Sequence, residues 1–132
     1  VHSAAPIEQG DLVYWDSTNH RVTKLDSDAH AASLAGIALQ PSVISSNIDL
    51  ASAPAEQTVA VGFGCVAELK TTAAETYYTG TVVYIGADSQ TITTVAGANA
   101  VGTVVLPAGV ASVTGAAGKG VNVLIKGKAF AV

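Results

Sequence analysis

A phrase near the start of this chain returns seventy positions later, and the echo restricts the possible folds more than any single residue does. Gly10-Asp11-Leu12-Val13-Tyr14-Trp15-Asp16 is matched by Gly80-Thr81-Val82-Val83-Tyr84-Ile85-Gly86, and His20-Arg21-Val22-Thr23-Lys24 stands at the same offset from Gln90-Thr91-Ile92-Thr93-Thr94. Each copy is a short β-branched and aromatic run, a polar turn and a second run, which is the pattern of a hairpin. Downstream the offset slips to 66 (35–39 against 101–105) and then to 62 (58–61 against 120–123), as it does when loops between equivalent strands differ in length. Two copies are too few for a solenoid. The halves, about 10–69 and 80–126, are therefore expected to close around one shared core.

The rest of the chain agrees with strands. Residues 1–9 show no period, contain Pro6 and precede Gly10 directly, so they are expected to form an extended N-terminal arm, with 10–132 as a single β domain. Residues 26–34 are rich in Ala, Asp and Ser and suit one helical turn, capped by Ser27 or Asp28. A strand at 36–39 is followed by a connection over 40–57 that carries Pro41 and Pro54, long for a compact domain and so a candidate functional or inter-subunit loop. Ile44 and Ile48 within it are apolar enough to pack on something. Residues 58–69 are expected to be one long strand that Gly62 and Gly64 allow to bend. The second hairpin, a strand at 101–106, a low-complexity loop over 107–118 and a strand at 121–125 complete the chain, with 129–132 as a further candidate. Many short strands, frequent turn signals and no long amphipathic helix indicate an all-β fold, a small β-barrel or β-sandwich built from two similar halves.

Composition narrows the function. Only 12% of the 132 residues are charged while 49% are apolar, so the surface must be rich in Ser, Thr, Ala and Gly. Such a surface suits a protein covered by a partner or by copies of itself. The net charge is −4 and the six basic residues are scattered, which argues against binding nucleic acid. No apolar run is long enough for a membrane helix. The chain has no methionine, so either an initiator has been removed or a segment precedes Val1.

A catalytic centre is not apparent. Cys65 is the only cysteine and lies in a strand-like run, which is the setting of a small buried hydrophobe rather than a nucleophile. His2, His20 and His30 lack a second ligand at metal-motif spacing and read as loop histidines. Asp26, Asp28 and Asp49 fall short of a calcium loop. Gly115-Ala116-Ala117-Gly118-Lys119-Gly120 misses the phosphate-loop spacing and leads into a strand. No serine sits in a nucleophile elbow. No catalytic residue, metal or cofactor is expected.

The ordered words Gly-Asp-x-Val-Tyr-Trp-Asp, a strand ending near Lys24, Ala-Gly-Ile-Ala-Leu and Val-Ala-Val-Gly-x-Gly-x-Val-Ala-Glu-Leu resemble a family of small tailed-phage proteins. These are capsid decoration, or cement, proteins, some of them labelled phage recombinases of a RecA/RadA type. Residues 10–39 and 58–69 carry the resemblance. The recombinase label has no support in these residues, which offer neither a nucleotide-binding loop nor a basic channel. The resemblance implies a homotrimer, made in the host cytoplasm, that sits on the exterior of the virion and bridges neighbouring copies of the major capsid protein. Candidate capsid contacts are then His2, Pro6 and Ile7 in the arm and Ile44 and Ile48 in the long connection. The alternative from another class is a carbohydrate- or receptor-binding β module, which would expose Trp15, Tyr77 or Tyr78 in a shallow groove.

Overall fold

The computed structural model describes residues 2–3, 6–41, 57–72, 74–86 and 90–127. Among them run β1 (His2–Ser3), β2 (Leu12–Asp16), β3 (Arg21–Lys24), a 3-10 turn (His30–Ser33), β4 (Leu34–Ala38), β5 (Gln57–Thr58), β6 (Val61–Gly62), β7 (Val66–Thr71), β8 (Thr76–Tyr77), β9 (Val82–Ile85), β10 (Thr91–Thr93), β11 (Gly102–Val104), β12 (Val113–Thr114) and β13 (Gly120–Ile125). The expected all-β fold from two similar halves is present. Both hairpins form in register, Trp15 opposite Val22 in the first and Ile92 opposite Ile85 in the second.

The two halves share one strand order. In the first lobe β1-β3-β2-β4-β6 are neighbours, and in the second β7-β10-β9-β11-β13, with β13 pairing back on β7 to close a barrel. Even the orientation repeats, since β1 lies parallel to β3 and β7 parallel to β10. The first lobe closes by the same route with a broken strand. Its β5 pairs with β1 and its β6 with β4, and only Val59 and Ala60 separate them. Two residues span at most about 7 Å, so one kinked segment joins the two edges that β13 joins in the second lobe.

Hydrogen bonds repeat atom for atom. The Gly10 N–H donates to Ala38 O at 2.9 Å and the Gly80 N–H to Val104 O at 2.9 Å; Ala38 N donates to Asp11 O at 2.8 Å and Val104 N to Thr81 O at 2.8 Å. Gly10 and Gly80 take φ of 91° and 94°, a left-handed turn conformation that glycine adopts without penalty. The turn before each strand is equivalent too. Asp11 caps Glu8 N as Thr81 caps Tyr78 N, at 2.9 and 3.1 Å, and Ile7 is buried where Tyr77 is buried.

These equivalences correct two expectations. Residues 7–9 are not part of an arm, because the repeated turn begins at Ile7, whose side chain lies in the apolar cluster of the first lobe. Earlier in that segment, β1 is a strand of the chain's own sheet. The stretch 58–69 is three strands rather than one. It bends at Gly62–Gly64, and β7 beyond the bend belongs to the second lobe. The 3-10 turn falls where a helical turn was expected, with the Ser27 hydroxyl accepting the His30 N–H at 3.3 Å. The loop 107–118 also contains β12, which pairs with β8.

Alternation along β2 separates two cores. Leu12 and Tyr14 point into a large cluster shared with the second lobe, alongside Leu25, Leu34 and Ile37 and, from the other side, Val83, Ile92, Val104, Val123 and Ile125. Val13 points the other way, into a smaller cluster with Ile7, Val22, Ala35, Ala38 and Val59, on which Trp15 packs. Polar groups fasten the same junction. The Gln90 amide accepts from Leu12 N at 2.8 Å and donates to Leu12 O at 3.2 Å and Leu25 O at 2.8 Å, bridging the two chain segments where the β2–β3 pairing ends. The Asp28 carboxylate accepts from Ala98 N at 2.9 Å and Asn99 N at 3.3 Å.

Gln90→Ala leaves main-chain groups of Leu12 and Leu25 without these partners. It is expected to lower stability by about 1–3 kcal/mol in urea titrations, while an exposed substitution such as Thr18→Ala has no comparable effect. Gly36→Ala places a Cβ 2.0 Å from Gly62 O, where β4 and β6 run backbone to backbone. It is expected to cost about 3 kcal/mol in the same titration; a midpoint within error of the parent would show that β6 can move away freely.

Candidate interaction surface

The outer wall of the second lobe presents an apolar row. Val82 stands opposite Thr103, Thr103 opposite Leu124, and Leu124 opposite Val66, so four adjacent strands set these side chains at one level. Val82 is 44% exposed, Leu124 43% and Val66 54%, and Phe63 adds a ring that is 47% exposed. Strand alternation dictates this. On β13, Val121, Val123 and Ile125 face inward and are buried, which turns Leu124 outward. Phe63, Val82, Ala100, Thr103 and Leu124 line an open groove of about 470 Å³ with Lys126 at its margin. A contiguous apolar patch is the kind of surface that a partner covers, whereas scattered exposed apolar residues need no explanation.

The predicted contact residues separate. Pro6 is exposed, Ile7 is buried in the first lobe, and His2 lies in β1. Ile44 and Ile48 fall outside the described residues. Sequence reasoning missed the apolar row. Its signal was present in the apolar outward positions of 120–125, but seeing them as a patch requires the register of β7, β9 and β11 beside β13.

Other polar clusters serve the fold. Glu75 accepts from the Thr93 hydroxyl at 2.9 and 2.8 Å, the Thr94 hydroxyl at 2.9 Å, Thr94 N at 3.3 and 3.2 Å and the Tyr77 hydroxyl at 3.3 Å. Burial works against its charge, yet the hydrogen bonds from Thr93, Thr94 and Tyr77 together hold the carboxyl below the usual glutamate range. Tyr77 is pushed up to about 12, by burial first and then by the Glu75 charge. His30 stacks on Tyr14 with ring centroids 4.3 Å apart and pairs with Asp26, a juxtaposition readable from the four-residue spacing within a helical turn. The hydrogen bond from His30 is the main cause lowering the Asp26 carboxyl. Cys65 is partly buried against the shared core. Among the described residues no three His, Cys, Asp or Glu side chains gather as metal ligands, and no helix is long and apolar enough to cross a membrane. The three aromatic residues considered for stacking on a sugar do not form a platform. Tyr77 is fully buried, Trp15 leans on the first-lobe core, and Tyr78 alone is exposed.

Fold and surface define an all-β protein of two tandem lobes that share one strand order, the second closed as a barrel and bearing an apolar wall. In comparisons with protein families, curated proteins and solved structures, nothing matches this chain.

Glu75 yields a pH test. Its folded pKa lies below its unfolded one, so the stability it contributes is complete above about pH 4.3 and is lost as pH falls through the folded value. The stability gap between the parent and Glu75→Gln is therefore expected to shrink between pH 6 and pH 3 in denaturant titrations. A gap that stays constant over that range would contradict this role.

Proposed function

We propose that this chain is a structural virion protein that binds the outer surface of a mature phage capsid and clamps neighbouring major capsid subunits. The observation that carries the reading is the exposed apolar row of Val82, Leu124 and Val66 with Phe63, on a chain with very few charges. A surface of this kind favours a permanent partner over solvent. The resemblance of the ordered sequence words to those of decoration proteins is what points to a capsid as the partner. In this reading the protein acts as a homotrimer and has no catalytic step. A ligand that binds only the expanded shell stabilises it by mass action, and many copies engaging one lattice make each weak contact effective.

Co-sedimentation with expanded capsids and with unexpanded precursor shells, both lacking the protein, tests this. Saturable binding to the expanded shell, little to the precursor and a gain in shell heat resistance are expected. Failure to bind either shell would overturn the proposal and direct attention to a glycan array.

A further inference from the structure

Another open cavity, of about 500 Å³, lies where the lobes meet. Asp28 lines it from the first lobe, and Thr72, Ile85, Thr93, Val95 and Ala96 line it from the second. None of the residues of the apolar row borders it. Its size is that of a small-ligand pocket, and such pockets favour interfaces between structural units, where apolar walls meet a few fixed polar groups. Ile85, Val95 and Ala96 supply the apolar wall here, with Val95 69% exposed. Asp28 is the one charged residue of the lining, and it forms no ion pair among the described residues.

The Asp28 carboxylate is held in place from several directions. One oxygen accepts the Ala98 N–H at 2.9 Å and the other the Asn99 N–H at 3.3 Å, while the Asn99 side-chain amide donates to the Asp28 carbonyl at 2.9 Å. Gly97 passes so close that a Cβ there would lie 2.6 Å from a carboxylate oxygen. An ionised carboxylate has about four acceptor sites, so each oxygen keeps room for one further donor. A second carboxylate stands behind the wall, because the Thr93 hydroxyl donates to Glu75 at 2.9 and 2.8 Å. The cavity therefore offers a fixed negative charge, without a neighbouring cation, beside an apolar surface.

These features select a ligand. An aliphatic stem that ends in one ammonium group covers Ile85, Val95 and Ala96 and brings its charge to Asp28. A guanidinium fits less well. Its fork engages both oxygens of a carboxylate side by side, and here each oxygen already holds a main-chain N–H. A diamine gains little, since the lining carries a single charge. We propose that this cavity binds a lysine side chain presented by a protein partner, with the ammonium on the remaining acceptor sites of Asp28. The site is assembled by the docking of the two lobes, and the inference does not depend on the capsid reading.

The test is a titration followed by proton–nitrogen NMR, because the Ala98 and Asn99 amides report directly on the Asp28 carboxylate. Nα-acetyl-lysine N-methylamide is the probe. It is expected to shift both amides saturably, and its neutral Nε-acetylated form and the matching arginine derivative are expected to bind at least roughly tenfold more weakly. Asp28→Asn should lose the binding but also disturbs the contact with residues 98–99. Ala96→Trp, at an exposed position, leaves Asp28 intact and fills the cavity; it is expected to abolish the shifts with an unchanged melting temperature. Absence of a saturable shift, equal binding of the neutral form, or an Ala96→Trp variant that binds as the parent does would overturn the proposal. Cadaverine that binds roughly tenfold more tightly than the lysine derivative would overturn it too, by assigning the cavity to a free diamine.

Discussion

The structure depends on one buried face, the outward side of β2 and β4. Half a chain of this size makes a sheet too small to bury much of its own surface, and the interior of the first lobe is lined mainly by Val and Ala. The larger side chains Leu12, Leu34 and Ile37 point out of that lobe and into the second. Each fully buried side chain of this class contributes about 1.5–3 kcal/mol, so the junction holds much of the apolar stabilisation available to the first lobe. The second lobe has the better interior, with Val, Ile and Tyr77 inside a closed barrel. The first lobe leans on the second more than the reverse.

Polar groups at the junction then specify how the lobes sit. Apolar packing alone is tolerant of small slides, whereas the Gln90 amide engages one N–H and two carbonyls of the first lobe at fixed geometry. Asp28 does the same in the opposite direction, from the first lobe to the loop at 97–99, where Gly97 leaves room for its carboxylate. Glu75 and its threonine partners hold β8 against the end of β10.

Much of the fold was legible in the sequence because the repeat is strong where it matters. Gly10 and Gly80 mark the same turn, the hairpins follow at a constant offset, and the all-β class follows from both. The lobe boundary was less legible. Residues 58–69 form one β-favouring run, and nothing local says that β7 leaves the first lobe to pair with β13 and β10, since that is a long-range choice. Ile7 was hidden for a related reason: its counterpart Tyr77 shares no residue type with it, and burial alone makes them equivalent. The apolar wall was hidden because Val82 and Leu124 look like core residues in a Val-rich chain. Their exposure depends on which neighbour the pleat faces.

Strand order also governs the sequence of events during synthesis. Each lobe puts its first-made strand next to its last-made one: His2 pairs with Thr58, and Leu69 with Val121. Neither lobe can close until its final strand has emerged, and long-range closure of this kind is slow compared with hairpin formation. The first lobe waits longer still. Its β2–β4 face finds cover only after β13 completes the second lobe, so Leu12, Leu34 and Ile37 stay bare on the growing chain until Ile125 has been made. That interval is when the protein is most vulnerable to misassembly with its neighbours on the ribosome.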